Sequence, residues 1–168
     1  MKKIVIVDAD DNEIGAKSFS ELDLQHIIFR VSAVWISNAE GEVLLAQRTH
    51  EAPHSPGAWG PSAAGTIEVG ETYDSNIVKE TEEELGIAMP FSAFTKGPKI
   101  FSTVPNPKRQ YFTQWYYATV DKQLSDFDIQ EDEVAAIRWV PRENILEELT
   151  EKPDDFIEAY QEIIKLIP

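Results

Sequence analysis

Residues 72–85 constrain the chain most, because they predict a helix that carries three carboxylates on one face. The segment contains neither proline nor glycine, begins with hydroxyl side chains that can cap a helix, and is followed by Gly86. Glu83 and Glu84 follow Glu80 by three and four residues, so a helix places all three about one turn apart on the same face. Carboxylates at this spacing repel one another and weaken an isolated helix. They can bind a hard divalent cation through oxygen, or they can form a solvated acidic face in an acidic protein.

Charge and composition narrow the classes of function. The chain has 168 residues with 15 Lys and Arg against 30 Asp and Glu, which gives a net charge of −15. This charge repels nucleic-acid backbones and anionic membranes, so neither is expected as a partner. It also repels phosphorylated metabolites unless a bound cation reverses the sign locally. The chain has no cysteine, which excludes disulfides, thiolate metal sites and cysteine nucleophiles.

The N-terminus carries no predicted targeting segment. Only four apolar residues, 4–7, precede Asp8, and this run is too short for a signal peptide. No stretch approaches the ~18 apolar residues that a membrane span needs. We therefore expect a cytoplasmic protein.

Hydrophobic patterning predicts one α/β (α+β) domain over residues 1–168. Strands are predicted for runs that are β-branched or alternate in polarity, at residues 4–7, 28–37, 42–47, 99–104, 109–120 and 134–140. A turn at residues 38–41 predicts a hairpin, and the proline-rich residues 49–61 predict an irregular loop. Helices are predicted at residues 72–85, at 144–149 and, from an amphipathic pattern, at 154–167. The prediction is a mixed sheet with one central helix and further helices at the C-terminus.

The residues around the three glutamates resemble the Nudix box, Gly-x5-Glu-x7-Arg-Glu-U-x-Glu-Glu-x-Gly-U, in which U is a bulky aliphatic residue. Gly65 is followed after five residues by Glu71 and, after seven more, by Lys-Glu-Thr-Glu-Glu-Glu-Leu-Gly-Ile at residues 79–87. Seven of the nine specified positions match. Lys79 replaces the arginine, which keeps the charge but loses its bidentate geometry, and Thr81 replaces an aliphatic residue.

The resemblance implies the Nudix fold, an α/β/α sandwich with a mixed β-sheet. The box occupies residues 65–87 and forms a loop, a helix and a second loop. The core of the domain covers about residues 28–168, and residues 1–27 form an N-terminal strand or hairpin extension.

The resemblance also implies a site for Mg²⁺ or Mn²⁺ on the box helix. Glu80 and Glu84 are implied as direct ligands, Glu83 as a further ligand, directly or through water, and the Gly65 carbonyl as a backbone ligand. Three other box residues are expected to organise the loop and the helix: Glu71, Lys79 and Gly86.

The sequence leaves the general base open. In several members of the family a glutamate outside the box, on a later loop, takes this role, and the candidates here are Glu131, Asp132 and Glu133, ahead of the last predicted strand. The alternative for each is a solvated acidic turn. Glu83 or Glu80, within the box, can instead be the base.

Four residues are candidates for contact with a substrate. Arg48 can bind a phosphate or form a structural salt bridge. Lys108 and Arg109, after a Pro-Asn-Pro turn, can bind a second phosphate or remain solvated. Trp59 can stack on a base or fill the core.

Shorter matches relate the chain to the branch of the family that includes isopentenyl diphosphate isomerase. They include the segment at residues 56–62 and the residues around 153–156. The isomerase uses a cysteine in a Ser-x-x-Gly turn, but residues 62–65 here read Ser-Ala-Ala-Gly. It also needs a glutamate pair in the strand that here, at residues 109–114, contains no acid. The acids for isomerase chemistry are therefore missing.

These features predict a metal-dependent hydrolase, a pyrophosphatase that cuts the P–O–P linkage of a nucleoside diphosphate derivative or a related organic diphosphate. A metal held by carboxylates would neutralise phosphate oxygens and activate water. The alternatives are a non-catalytic nucleotide-binding Nudix module and, less favoured, the isomerase. The expected partner is a small diphosphate substrate, and the chain is expected to be a monomer or a homodimer.

Overall fold

The computed structural model describes residues 2–18, 26–105 and 108–158, and within them it contains a nine-stranded mixed β-sheet. The strands are β1 (Lys3–Val7), β2 (Glu13–Ser18), β3 (Ile28–Ser37), β4 (Glu42–Arg48), β5 (Trp59–Gly60), β6 (Ala63–Thr66), β7 (Thr95–Pro105), β8 (Lys108–Thr119) and β9 (Val134–Pro141). The α-helices are α1 (Tyr73–Leu85) and α2 (Arg142–Glu151), and short 3₁₀ turns lie at Phe91–Ala93, Leu124–Asp126 and Pro153–Asp155. None of the helices in the described part of the chain is long and apolar enough to span a membrane.

Strand β3 is the centre of the sheet. It pairs in parallel with β8 along its whole length, from Ile28 opposite Gln110 to Ser37 opposite Thr119. Its other edge is shared by β1, β6 and β4 in succession, all antiparallel. The register with β6 sets Gly65 directly opposite Ser32, which brings the start of the box against the middle of the sheet.

The pairing of β4 differs from the predicted hairpin. The turn at residues 38–41 forms as predicted, and the Asn38 side chain accepts the N–H groups of Glu40 and Glu42. Among the described pairs, however, β3 and β4 meet only at Ser37 and Val43. Beyond that point β4 pairs with β9 along its length and with β5.

Alternate residues of β3 enter two different hydrophobic clusters, because neighbouring side chains in a strand face opposite sides of the sheet. Val34 and Ile36 pack with residues of α1, including Ile77 and Leu85. Ala33 and Trp35 pack on the other side, with Ile145 of α2 and with Phe156. Helices therefore cover both faces of the sheet, which is the predicted sandwich.

Helix α1 confirms the predicted span to within one residue. Thr72 is the N-cap, and its hydroxyl accepts the N–H of Ser75, while the Ser75 hydroxyl accepts the N–H of Thr72. Gly86 ends the helix in the left-handed region at a φ of 67°, and its N–H donates to the carbonyl of Glu82. A Cβ at Gly86 would lie 2.5 Å from the Asp128 carbonyl oxygen, so the following loop can pack against the end of the helix.

The N-terminal extension forms a hairpin of β1 and β2 around the turn at residues 8–12. Asp11 in this turn has a φ of 63° and a side chain that is only 6% exposed. It accepts hydrogen bonds from Arg30, Tyr73 and Lys99. A single carboxylate thus ties the hairpin to β3, α1 and β7.

The predicted C-terminal helix at residues 154–167 is wrong where the structure describes it. Residues 153–155 form a 3₁₀ turn, and Phe156 is extended and bridges to Trp59. The Phe156 side chain is buried in the core, and the N–H of Ile157 donates to the Trp59 carbonyl. These tertiary contacts outweigh the local helical pattern, and residues 159–167 of the prediction lie outside the described residues. The helix predicted at residues 144–149 is confirmed as part of α2.

Candidate active site

The first element of the site is a close contact between β6 and α1. Glu80 is buried, and its side chain lies directly over the Cα of Gly65. A Cβ at residue 65 would lie 2.2 Å from Glu80 Cδ and 2.4 Å from its Cγ and Oε1. Only glycine therefore leaves room for this carboxylate at its observed position.

Lys79 lies among three carboxylates at the start of the site. Its ammonium is 2.6 Å from Glu71 Oε1, 3.2 Å from Glu68 Oε1 and 3.3 Å from Glu80 Oε1. Burial would lower the pKa of Lys79, but these carboxylates raise it above its ordinary value, so the side chain remains charged. The lysine that replaces the arginine of the family pattern thus links the box loop to the box helix.

Glu71 organises the loop ahead of α1. Its Oε2 accepts the N–H of Glu68 at 2.9 Å and the amide of Asn76 at 2.8 Å. Burial alone would raise the pKa of Glu71, but hydrogen bonds from Lys79, Glu68 and Asn76 hold it below the usual range. The residue is therefore ionised and committed to the loop.

Glu80, which is buried, and Glu84, which is half-buried, are the two inner acidic groups of the site. Burial, followed by the charge of Glu80, raises the pKa of Glu84 well above its usual value, although the Ala64 N–H donates to Glu84 Oε2 at 3.1 Å. Burial also raises the pKa of Glu80, against the opposing effect of Lys79. Glu83, on the same helix, is exposed. The two inner carboxylates, Glu80 and Glu84, are therefore only partly compensated by Lys79 and by the Ala64 N–H.

The loop before β9 packs on the C-terminal end of α1. The N–H groups of Asp128 and Gln130 donate to the carbonyls of Leu85 and Glu84. This places the charge of Glu133 near the inner pair, where it raises the pKa of both Glu80 and Glu84. Glu133 and the other two predicted base candidates, Glu131 and Asp132, are all exposed. Of the three candidates, Glu133 is the one whose charge acts on both Glu80 and Glu84.

Arg48, Arg109 and His54 form a cationic side of the site. Arg48 Nε donates to the carbonyl of His54 at 2.8 Å. Burial, and then repulsion by Arg109, lowers the pKa of Arg48, while Glu84 and Glu133 oppose this effect. Arg109 Nε and His54 Nδ1 are buried and have no hydrogen-bond partner among the described residues. Buried N–H groups without acceptors are costly, and an anionic ligand would satisfy them.

Burial, followed by the charges of Arg109 and Arg48, lowers the pKa of His54. The ring is therefore neutral near pH 7. One of its nitrogens then carries the proton and the other can accept one, so His54 can adapt to the protonation state of a bound anion.

The other two substrate candidates are placed differently. Trp59 packs against the core, and the guanidinium carbon of Arg138 lies 4.3 Å from the centre of its ring. This favours the core role of Trp59 over base stacking. Lys108 is exposed at the beginning of β8.

The carboxylates fit a hard divalent cation by their chemistry, although they are not arranged as a closed ligand set. Within the described part of the chain, no three acidic or histidine side chains are gathered closely enough to hold a metal ion. Glu80 Oε1 and Glu84 Oε2 accept protein hydrogen bonds, and in the described residues the second oxygen of each carboxylate does not. Carboxylate oxygens of this kind suit Mg²⁺ or Mn²⁺.

Two polar residues of the site were not identified from the sequence pattern. Asn76 lies in α1 at a position that the box leaves unspecified, and it contacts both Glu71 and Glu80. Its distance of four residues from Glu80 is the only sequence signal of that contact. His54 lies in the proline-rich loop, and no spacing connects it to Arg48 or Arg109.

The fold and the carboxylate-bearing helix agree with the comparison with known families. A model of the NUDIX domain matches residues 28–160, most of the chain, so the chain belongs to the Nudix family. The predictions of the family, of its fold and of a Nudix hydrolase are confirmed.

Named relatives include members of the predicted branch. An isopentenyl-diphosphate Delta-isomerase of Serratia proteamaculans is 27% identical over 166 residues, which cover 96% of this chain and 89% of that protein. A prenyl-diphosphate phosphatase of Methanosarcina mazei is 29% identical over 161 residues, covering 95% of this chain and 92% of that protein. The solved structure of DR0079 from Deinococcus radiodurans matches the fold with a TM-score of 0.80 at 18% identity, over 98% of both chains.

Proposed function

We propose that this protein hydrolyses the P–O–P linkage of a small organic diphosphate in a reaction that requires Mg²⁺ or Mn²⁺. The observation that supports this most is the juxtaposition of two kinds of group. Burial raises the pKa values of Glu80 and Glu84, even with Lys79 beside Glu80, and the nearby Arg109 Nε is buried without an acceptor among the described residues. A divalent cation and a diphosphate would satisfy both together.

The residues divide into a metal side and a phosphate side. Glu80 and Glu84 would hold the cation, with Glu83 and the Gly65 carbonyl as further ligands. When bound, the cation supplies charge neutralisation for phosphate oxygens and lowers the pKa of a coordinated water. Glu133 is the candidate to receive a proton from the attacking water. It lies outside α1, and its charge raises the pKa values of Glu80 and Glu84.

The phosphate side would orient the substrate. Arg48 and Arg109 would bind the phosphate that lies farther from the cation, and the neutral His54 would form a hydrogen bond with the same phosphate. Binding of this kind positions the P–O–P bridge against the activated water. Lys108, at the exposed end of β8, would extend the cationic side toward solvent.

The substrate class includes nucleoside diphosphate derivatives and isoprenoid diphosphates. Similarity to a protein named prenyl-diphosphate phosphatase and to one named isopentenyl-diphosphate Delta-isomerase supports including the second group. Isomerisation itself is not favoured. Alanines occupy positions 63 and 64, and Gln114, in the strand that lacks acids, has its amide bonded to backbone carbonyls.

Turnover of a substrate panel tests the proposal. The protein is incubated with ADP-linked compounds and with isopentenyl and longer prenyl diphosphates, with Mg²⁺ or Mn²⁺, and released phosphate products are followed. We expect hydrolysis that a chelator abolishes and that Glu84→Gln lowers by at least about 100-fold. Glu82→Gln is the matched control, because Glu82 is an exposed glutamate of the same helix.

Two other results would overturn the proposal. Tight nucleotide binding without turnover across the panel would identify a binding module, and conversion of isopentenyl diphosphate to its isomer would identify an isomerase. A cytoplasmic location, a monomeric or homodimeric state and the absence of nucleic-acid and membrane partners stay predictions.

A further inference from the structure

A buried amide lies under the carboxylates of the site. Asn76, one turn before Glu80 in α1, and Ser32, in the centre of β3, are both completely buried, with exposures of 0%. Ser32 lies opposite Gly65 in the β3–β6 register, so the three elements meet at this point. Neither Asn76 nor Ser32 belongs to a specified position of the box.

The hydrogen bonds of this pair can run in only one direction. Asn76 contacts Glu71 Oε2 at 2.8 Å and Glu80 Oε1 at 3.1 Å. Ionised carboxylates only accept hydrogen bonds, so the atom facing them must be the amide nitrogen, Nδ2. Asn76 Oδ1 then faces Ser32, whose hydroxyl must donate to it. Ser32 therefore fixes the orientation of the amide, and the amide fixes both carboxylates.

Lys79 cannot fix the direction of Glu80 by itself. Its ammonium is shared among Glu68, Glu71 and Glu80 and acts as a compact point charge. The planar amide of Asn76 offers two N–H groups at fixed angles; its nitrogen lies closest to Glu71 and Glu80, and the Thr66 carbonyl is a more distant acceptor at 3.4 Å. Because the amide is neutral, it orients Glu80 without cancelling the charge that a cation requires.

We propose that Asn76, oriented by Ser32, is a positioning residue that holds Glu80 toward the metal and compensates for the lysine at position 79. The inference rests on the proposed function, because it assigns Glu80 to a cation. It concerns the binding of the cation rather than the chemistry of the substrate. A measurement of metal binding without substrate therefore tests it separately.

The test compares the affinity of the whole protein for Mn²⁺ by titration calorimetry, with thermal unfolding recorded for every variant. Asn76→Leu keeps the approximate shape of the side chain and removes both donors. We expect it to weaken Mn²⁺ binding by about 10- to 100-fold, the usual effect of losing a partner of a metal ligand. Ser32→Ala leaves the amide in place without its orienting donor, and we expect a smaller loss in the same direction.

Thr81→Val is the matched control. Thr81 is also completely buried in α1, but its hydroxyl donates to the Ile77 carbonyl and not to a carboxylate. The Thr81→Val variant should bind Mn²⁺ like the wild type. A merely structural effect of losing a buried polar group would appear in both variants.

A rescue experiment distinguishes the positioning role from a merely structural one, because a structural defect at Asn76 would not be repaired by a change at Lys79. Lys79→Arg restores a planar fork of donors next to Glu80. It should recover part of the affinity that Asn76→Leu loses, and a double-mutant cycle against Lys79→Arg alone measures this recovery.

Unchanged Mn²⁺ affinity in folded Asn76→Leu would overturn the inference, and so would absence of rescue by Lys79→Arg. If Asn76→Leu does not fold, Ser32→Ala with and without Lys79→Arg decides in the same way. The two proposals can fail separately. If the wild type binds Mn²⁺ and these variants bind it more weakly, but the wild type hydrolyses no diphosphate, the proposed function is refuted and the positioning role is supported.

Discussion

Gly65→Ala tests whether the close approach of β6 and α1 is what places Glu80. The added Cβ would lie 2.2 Å from Glu80 Cδ, a separation that the two carbons cannot keep. Gly65 is not among the glycines with positive φ, so alanine introduces no backbone strain there. The clash therefore falls on the Glu80 side chain or on the spacing of the two elements.

The expected loss of stability and of Mn²⁺ affinity follows from the contacts that Glu80 would lose. Inserting a methyl group into a packed site costs about 1–3 kcal/mol of the free energy of unfolding. If Glu80 rotates away instead, it leaves Asn76 and Lys79, and a hydrogen bond to a charged group contributes about 1.5–3 kcal/mol. In either case we expect Mn²⁺ affinity to fall by at least about tenfold, which corresponds to about 1.4 kcal/mol.

Urea unfolding and calorimetric Mn²⁺ titration of the same preparation measure both effects. Gly15→Ala is the control, because a Cβ at Gly15 would meet no atom within 4 Å. It should leave both quantities unchanged. Wild-type Mn²⁺ affinity together with a wild-type free energy of unfolding in Gly65→Ala would show that Glu80 does not depend on the missing side chain, and the reasoning would fail.

Two further predictions concern the N-terminal hairpin and the cationic side. Hydrogen bonds from Lys99 and Arg30 hold the pKa of Asp11 below its ordinary value, although the burial of Asp11 would raise it. Asp11 therefore stabilises the folded protein above the unfolded pKa of about 3.9, and this stabilisation is lost as the pH falls through the folded pKa. Asp11→Asn should therefore lower the free energy of unfolding by about 1–3 kcal/mol at pH 7, and urea titrations should show this difference shrinking below about pH 4; a constant difference would contradict the assignment. Arg109→Gln should raise KM for the diphosphate by about tenfold or more in steady-state kinetics and change kcat less, because it removes binding common to substrate and transition state. Lys108→Gln, at the exposed neighbour, should raise KM less, and an equal rise in both variants would contradict a special role for Arg109, whose Nε is buried.

Local patterns predicted the individual elements well, because each pattern reports a force that acts within a few residues. Alternating apolar residues located β3, whose successive side chains do face two different clusters. The hydroxyls at Thr72 and Ser75 and the glycine at 86 located both ends of α1 through its caps. These signals need no knowledge of the rest of the fold.

Pairing partners could not be predicted in the same way. The parallel pairing of β3 with β8 joins residues more than 80 positions apart, and nothing in either strand specifies the other. The short β6 was not predicted, because its four residues read Ala-Ala-Gly-Thr and carry no strong β-pattern. At the C-terminus, burial of Phe156 between Trp59 and the core overrides a local helical pattern.

The same division applies to the site. The box residues could be predicted, since they lie in one continuous segment and their spacing follows the helix. Asn76 could not be assigned, because its role depends on Ser32, which lies 44 residues away on a different element. Arg48 and Arg109 were candidates by residue type, and only the fold shows that they share one environment with His54.

The balance of charge at the site bears on how a strongly acidic protein would bind the acidic substrate that we propose. Lys79 forms ion pairs with Glu68, Glu71 and Glu80, and among the described contacts it forms none with Glu84. Burial raises the pKa values of both Glu80 and Glu84; Glu83 and Glu133 add to this effect at Glu80, and Glu80 and Glu133 add to it at Glu84. The site therefore favours added positive charge, either protons or a metal ion. A divalent cation held by Glu80 and Glu84 would balance their two charges, and Arg48 and Arg109 would then supply the positive charge for a diphosphate. The repulsion that a net charge of −15 exerts on a diphosphate would thus be reversed locally at the proposed site.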